Sequence, residues 1–371
     1  MSGTRPQIQP KMLLVALLLL QLFGCSGSDE LERTIRFGVS PFQDTYLPVV
    51  GEHLGWYDDV GLDVEFRVLG WTEAIEALTA GQVDLIINNM SSVIGSHPRN
   101  PDLVYWYGIN TFDNGFALMI RPDGPMQPLD AFLSGASSRE EAVSLAASQL
   151  RGRTVVTTGS TDMEQGVAAA ARRGGLDFLR DVRVIDLNPD EGLAAFLRGE
   201  GDAFIGGIPQ RVRAGREGMI EMLTGIDLGP APINGIVTTR TFAEENEETL
   251  FRILEVWFRI VGYIDEDIDR GAGLVVGDLN RLTGAGFTVE DFRRIWNNYE
   301  HFPSDPAEIY DEILSPDGRN FWRARWDDTN HYFVEVKGLA VGRVEAEDAF
   351  MMPGVHDRYL AWSAARAAGQ R

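Results

Sequence analysis

Cysteine is nearly absent. Cys25 is the only one in 371 residues, which excludes an internal disulfide and a zinc–thiolate site. Lysine is almost as scarce: of 33 basic residues only Lys11 and Lys337 are lysine, against 55 acidic ones. The formal charge of −22 argues against nucleic acid and anionic lipid surfaces as partners. It is not read as a sign of a cationic ligand, because acidic surfaces are commonly just solvated faces. Motifs for catalysis are missing too. There is no Gly-x-Ser-x-Gly elbow, no Walker loop and no His-Glu-x-x-His pair, and His53, His97, His301, His331 and His356 are scattered. Hydrolase, nucleotidase and metalloenzyme readings therefore have no footing, and no metal and no cofactor are expected. Beyond Leu20 no apolar run is long enough to cross a bilayer.

What is present begins with Arg5 and Lys11, followed by an apolar run from Met12 to Leu20 of the length of a signal-peptide core. The run leads into Leu22-Phe23-Gly24-Cys25, which resembles a bacterial lipobox, with Phe23 bulkier than that pattern usually carries. The expectation is a lipoprotein signal peptide over residues 1–25, a lipid on Cys25, and a short polar tether over 26–33; an ordinary cleaved signal peptide is the alternative.

The rest of the chain is long for one core and predicts two lobes. Residues 34–40 alternate as a strand, 47–56 carry helical spacing, 57–61 read as a turn, and 62–69 alternate as a second strand. Thr72 caps an expected helix over 73–79, and 83–88 is a buried-type strand. This is βαβ grammar, so a mostly parallel sheet flanked by helices is expected. The same grammar returns as strand 154–158, helix 162–173, strand 182–187, helix 189–198 and strand 203–205. Each block places a glycine after a helix and an aspartate at the opening of a buried strand: Gly81 and Asp84, then Gly199 and Asp202.

Strand-like runs at 115–120 and 233–239 read as two chain crossings between the lobes, and 129–150 as a helical insertion. The C-terminal third reads as helical over 249–264, 287–299, 306–314 and 356–368, with a short strand at 332–336. In helix 249–264, Leu250, Ile253, Leu254, Trp257, Phe258 and Val261 share a stripe expected to be core.

Residues 35–40, the run His53-Leu54-Gly55-Trp56-Tyr57-Asp58-Asp59-Val60-Gly61-Leu62-Asp63-Val64-Glu65, and the segments 81–85, 150–155 and 199–204 together resemble substrate-binding proteins of bacterial ABC importers. The branch is the one that takes nitrate, sulfonates, taurine and thiamine-pyrimidine precursors, and the resemblance covers about residues 34–240. It implies an α/β fold of two Rossmann-like lobes joined by a two-crossing hinge, the type II periplasmic binding protein fold, with a helical C-terminal extension. The lobes would be 34–122, completed by 234–371, and 123–233. Where many relatives carry an aromatic, acidic, proline run, this chain has Gly206-Gly207-Ile208-Pro209. The pyrimidine synthase of thiamine biosynthesis shares the fold but relies on a cysteine-rich iron-site motif that a chain with Cys25 alone lacks, so no enzyme is expected.

In open parallel sheets ligands bind beyond the carboxyl ends of the strands. That places Phe42, Gln43, Asp44, Tyr46, Trp71, Asn88, Asn89 and Met90 of the first lobe at the candidate site. Ser160, Thr161, Asp162, Gly207 and Ile208 of the second join them, with Asn234 at the return crossing. Asp44 and Asp162 also suit plain helix caps. The first-lobe loops hold rings, amides and a carboxylate but no basic residue, a mix that suits a nitrogen-containing heterocycle or a cationic small molecule. Arg211 and Arg213 could instead supply charge for a sulfonate, nitrate or another small anion. The resemblance implies an extracytoplasmic, lipid-anchored monomer that hands its ligand to the transmembrane subunits of an ABC permease. The alternative is a sensor partnering a membrane receptor.

Overall fold

In the computed structural model, which describes residues 34–339 and 342–369, strand β1 (Ile35–Val39) buries Ile35, Phe37 and Val39 as the alternation requires. The basic start, the apolar run, Cys25 and the tether lie outside the described residues. β1 pairs in parallel with β2 (Val64–Val68) on one side and β3 (Leu85–Asn89) on the other. β4 (Leu103–Thr111), fully buried along its length, does not touch β3 directly. The strand between them is β10 (Ile233–Thr239), which runs antiparallel to both, so the first sheet has the order β2-β1-β3-β10-β4.

The second sheet repeats this plan. β6 (Thr154–Thr157) pairs in parallel with β7 (Arg183–Asp186) and β8 (Ala203–Phe204). β5 (Ala117–Ile120) then runs antiparallel between β8 and β9 (Ile220–Thr224), giving β7-β6-β8-β5-β9. The chain passes between the sheets twice, over residues 112–116 and 225–232.

The glycine–aspartate repeat is the same device in both sheets. Gly81 (φ 66°) and Gly199 (φ 103°) take left-handed turns that a side chain disfavours. Asp84 then accepts the Arg36 backbone N–H at 2.9 Å and the Arg36 guanidinium at 2.6 Å, and Asp202 accepts the Thr154 N–H at 2.8 Å. Each carboxylate so ties the strand it opens to the start of its central neighbour.

The long helix Glu247–Glu266 buries Leu250, Ile253, Leu254, Trp257 and Val261 against the first lobe, with Phe258 half-buried. The region 129–150 is helical, with Arg139–Ser148 packed on helix Asp162–Arg173.

Several expectations need correction. The expected helix 47–56 is two short helices, Pro48–His53 and Trp56–Asp59, because Gly55 turns left-handed at φ 71°, and the second takes up part of the expected turn. The helix expected from 73 begins at Trp71, and the Glu73 carboxylate rather than Thr72 secures its start by accepting the Gly70 N–H at 3.0 Å. Residues 332–336 are not a strand. They are a π-helical turn, Tyr332–Val336, because helix Trp322–His331 meets no glycine or proline to stop it and runs on into a wider turn. β4, β9 and the helices Ile208–Arg216, Ile268–Thr283 and Trp322–His331 were not read from sequence.

Candidate functional site

The loops leaving β1, β2, β3, β6 and β8 converge on one cleft. From β1 come Phe42, Gln43 and Asp44; Trp71 opens the helix after β2; Asn89 ends β3; Thr161 and Asp162 follow β6; Gly207 and Ile208 follow β8. Asn234 joins them from β10. Phe112, Phe116 and Pro232, from the two crossings, and Met163 complete the lining. The space amounts to about 450 Å³ free of atoms, of which about 50 Å³ admits the centre of a water, so the cleft is a narrow slot. Phe42 and Trp71 meet edge-on with centroids 5.8 Å apart, and Phe112 and Phe116 pack at 4.7 Å. Phe42 also crosses to the second sheet's loops: a Cβ on Gly207 would lie 3.2 Å from its ring.

Ten of the fourteen candidates line this cleft and four do not. The Tyr46 hydroxyl donates to Asp278 at 3.2 Å, away from the slot. The Asn88 side chain accepts the Asn89 N–H at 2.9 Å and donates to the Trp71 carbonyl at 3.4 Å. Met90 is buried at the start of its helix. Ser160, at φ 57° the one non-glycine residue in left-handed backbone among the described residues, lines an adjoining cavity.

The Asp44 carboxylate is buried beside three amides. Asn234 Nδ2 donates to it, Asn110 Nδ2 lies at 3.5 Å, and Gln43 Nε2 at 3.4 Å. The same Gln43 nitrogen donates to Glu300 at 2.6 Å. Burial pushes the Asp44 carboxyl above its ordinary range. Burial, and then the neighbouring Asp44, push Glu300 well above its own. Asp44 is not a helix cap: the next helix begins at Pro48, and no side chain caps it.

Asp162 plays a different part. Thr161 caps the helix, its hydroxyl accepting the Met163 N–H at 3.3 Å, while the Asp162 carboxylate forms a buried ion pair with Arg325 and accepts from Asn89 and Ser91. Burial raises the Asp162 carboxyl, and the Arg325 guanidinium opposes that rise. Arg325 also donates to Gln165 and to the Pro230 carbonyl, both at 3.0 Å, so its charge is spent at the edge of the cleft. Arg211 is no free cation either: it is buried on Glu221 and on the carbonyls of Asn114 and Gly115, and lies over the Tyr299 ring. Arg213 is exposed on the same helix and does not line the slot.

A family model described as the NMT1-like family matches residues 28–272. The chain belongs to the NMT1-like family. No curated protein matches the sequence. Among solved structures, the chain is similar to the periplasmic aliphatic sulphonate binding protein SsuA from Escherichia coli at 16% identity and a TM-score of 0.64, covering 85% of this chain and 91% of that one. It is also similar to the alkanesulfonate-binding protein SsuA from Xanthomonas axonopodis pv. citri, bound to MOPS, at 14% identity and a TM-score of 0.63, covering 85% and 98%. A Candida albicans gene product described as exhibiting the generic periplasmic binding protein structural fold matches at 12% identity and a TM-score of 0.60, covering 89% and 95%. At these identities the likeness shows the fold: this member of the family has the periplasmic binding protein fold expected from its sequence, with helices added at the C-terminus.

Sequence reasoning missed Phe112, Phe116, Met163, Pro232, Glu300 and Arg325. Phe112 and Phe116 had a signal, two aromatics at a chain crossing. Glu300 and Arg325 had none, since neither stands in a motif and only the tertiary fold brings them to the cleft.

Proposed function

We propose that this protein is an extracytoplasmic solute-binding protein that holds a small organic molecule between its two lobes and delivers it to the transmembrane subunits of an ABC permease. The reading is one of binding rather than catalysis. Family membership, the shared fold and the strand-end position of the slot support it. The lobes, which close over the ligand, are about 34–111 with 233–371, and 117–224; the boundaries expected at 122/123 and 233/234 shift because β5 lies in the second sheet and β10, from Ile233, in the first.

The ligand is a nitrogen-containing heterocycle or a cationic small molecule. The observation that carries this is the lining itself: four aromatic rings, amides and the carboxylates of Asp44 and Asp162, the second already paired with Arg325, with no basic side chain on it. The sulphonate relatives and the helix N-termini at Thr161 and Gly207 favour an anion as the second reading. A thermal-shift screen of pyrimidines, thiamine precursors, quaternary amines, sulfonates and nitrate separates the two, because a ligand that binds the native state raises the melting temperature by mass action. Pyrimidines or amines are expected to raise it; a rise with sulfonates or nitrate alone overturns the heterocycle reading.

Anchoring is proposed through a lipid on Cys25, which places the monomeric protein on the periplasmic face of the cell membrane. No helix among the described residues is long and apolar enough to cross it. Cys25→Ser is expected to release the protein into the soluble fraction. A mutant that stays membrane-bound, beside a wild type that takes up no lipid label, refutes the anchor.

A further inference from the structure

Beneath the slot the polar groups do not balance. Asp44, Gln43, Asn110 and Glu300 are 2%, 2%, 0% and 5% exposed. The side-chain donors among these groups and Asn234 are three amide nitrogens, on Gln43, Asn110 and Asn234, and all three point at the two carboxylates, of which Asp44 also accepts the backbone N–H groups of Thr45 and of its own residue. On the acceptor side, Gln43 Oε1, Asn110 Oδ1 and Glu300 Oε2 have no hydrogen-bond partner at all. Buried acceptors without donors are costly, and two buried carboxylates on one amide nitrogen do not both keep their charge. The arrangement is short of donors and of positive charge, and Gln43 and Asp44 line the slot from which both can be supplied.

We propose that Glu300 belongs to the ligand site, and that the cleft takes an N–H-rich cationic head group of the amidinium or ammonium kind, which replaces a proton held by the Asp44–Glu300 pair. This rests on the solute-binding reading and narrows it. In the empty protein the pair keeps one proton and so carries a single negative charge. The arriving head group brings a positive charge together with N–H donors for the unpartnered oxygens, and the carboxyl proton leaves to solvent. Charge balances: one cation enters and one proton departs. A sulfonate would add only further acceptors to a place already crowded with them.

Glu300 is also among the residues of a second, water-accessible cavity bordered by Asp113, Asp265, His301, Glu308 and Arg319. The nearby charges are otherwise engaged: Arg319 pairs with Asp113, Asp265 accepts the Trp296 Nε1–H at 2.7 Å, and Arg211 lies over Tyr299. The hydrogen-bond partner of the Glu300 side chain among the described residues is Gln43.

The test has a ligand-free arm and a ligand arm. Infrared spectra of the empty full-length protein near neutral pH are expected to show a protonated-carboxyl C=O band that Glu300→Gln removes. Titration calorimetry with benzamidine, in two buffers of different ionisation enthalpy, is expected to show one proton released per molecule bound by the wild type and none by Glu300→Gln. Wild-type affinity for benzamidine should rise about tenfold per pH unit above neutrality, a slope the variant lacks. Neutral 4-aminopyrimidine is the control, and its binding should release no proton. Asp44→Asn provides a second variant in which the release is lost. Absence of the carboxyl band, absence of benzamidine binding, or proton release undiminished in Glu300→Gln overturns the inference. A thermal shift with methanesulfonate alone overturns it while leaving solute binding intact, and no shift with any compound in the wider screen overturns both.

Discussion

Arg325→Ala destabilises the protein by about 3–5 kcal/mol, the range for removing one partner of a buried ion pair. Arg325 and Asp162 are 4% and 4% exposed, and without the guanidinium the carboxylate keeps only Asn89 and Ser91 as donors. The lost side chain also leaves the Pro230 carbonyl and Gln165 without their 3.0 Å bonds. The deficit shrinks in acid, because an unpaired, buried Asp162 takes up a proton that relieves it. Replacing both members with uncharged side chains of similar volume, Arg325→Met with Asp162→Asn, recovers much of the loss, since the desolvation cost then disappears with the charges. Urea midpoints of the three proteins at pH 5 and pH 8 check this. A single mutant as stable as the wild type, or a double mutant no better than the single, contradicts it. The pair anchors helix Trp322–His331 to the start of helix Asp162–Arg173, a junction that Arg172 and Gln165 on Asp328, and Lys337 and Tyr332 on Glu164, extend along the same face. Loss of Arg325 therefore loosens the cleft as well as the fold.

Asp44→Asn lowers the affinity for a cationic ligand tenfold to a hundredfold, or about 1–3 kcal/mol, because a charge-assisted bond gives way to a neutral one. Trp71→Ala lowers it comparably through lost ring contact. Asparagine is a good helix cap, so a capping role for Asp44 would make the first substitution silent; the cap-free start of helix Pro48–His53 removes that explanation. Stability moves the other way. Asp44 is raised in the folded state above its ordinary 3.8, so as pH climbs from that value the native state holds a proton the unfolded chain has released, and stability falls. Asp44→Asn lacks Asp44's share of this slope, Glu300 keeping its own through burial, and gains on the wild type as pH rises through the window. Calorimetric titration with benzamidine and melting curves between pH 4 and pH 8 read the two effects separately. Unchanged affinity refutes the carboxylate's ligand role and returns the anion reading to the front.

The βαβ grammar was legible because its signals are local. The alternation of β1, the buried run of β3 and the glycine–aspartate turns depend on neighbours a few residues apart, and each strand formed where the pattern placed it. β4 was not read, since Val-Tyr-Trp-Tyr buried on both faces shows no alternation. The π-helical turn at Tyr332–Val336 was misread because Tyr-Phe-Val-Glu-Val has the β-branched and aromatic content of a strand while continuing a helix. For the cleft, loops at strand ends could be located from topology, which brought ten candidates together. The partners of their charges could not: Glu300 meets Gln43 across 257 positions and Arg325 meets Asp162 across 163, distances at which no spacing rule operates.

The place of β10 in the first sheet sets an order of assembly. The second sheet draws all five strands from the continuous stretch 117–224, so it can complete itself as soon as that stretch is available. The first sheet cannot. Its strand β4 has β10 as its sole sheet neighbour, and β10 lies more than a hundred residues downstream. A chain emerging from its N-terminus thus presents β3 and β4, both fully buried in the finished protein, as open edges until residue 239 arrives. Long-range pairing of this kind slows folding and leaves sticky edges exposed meanwhile. The lobe made first is the last to be finished, and the edges at which β3 and β4 receive β10 stay unpaired until it is made.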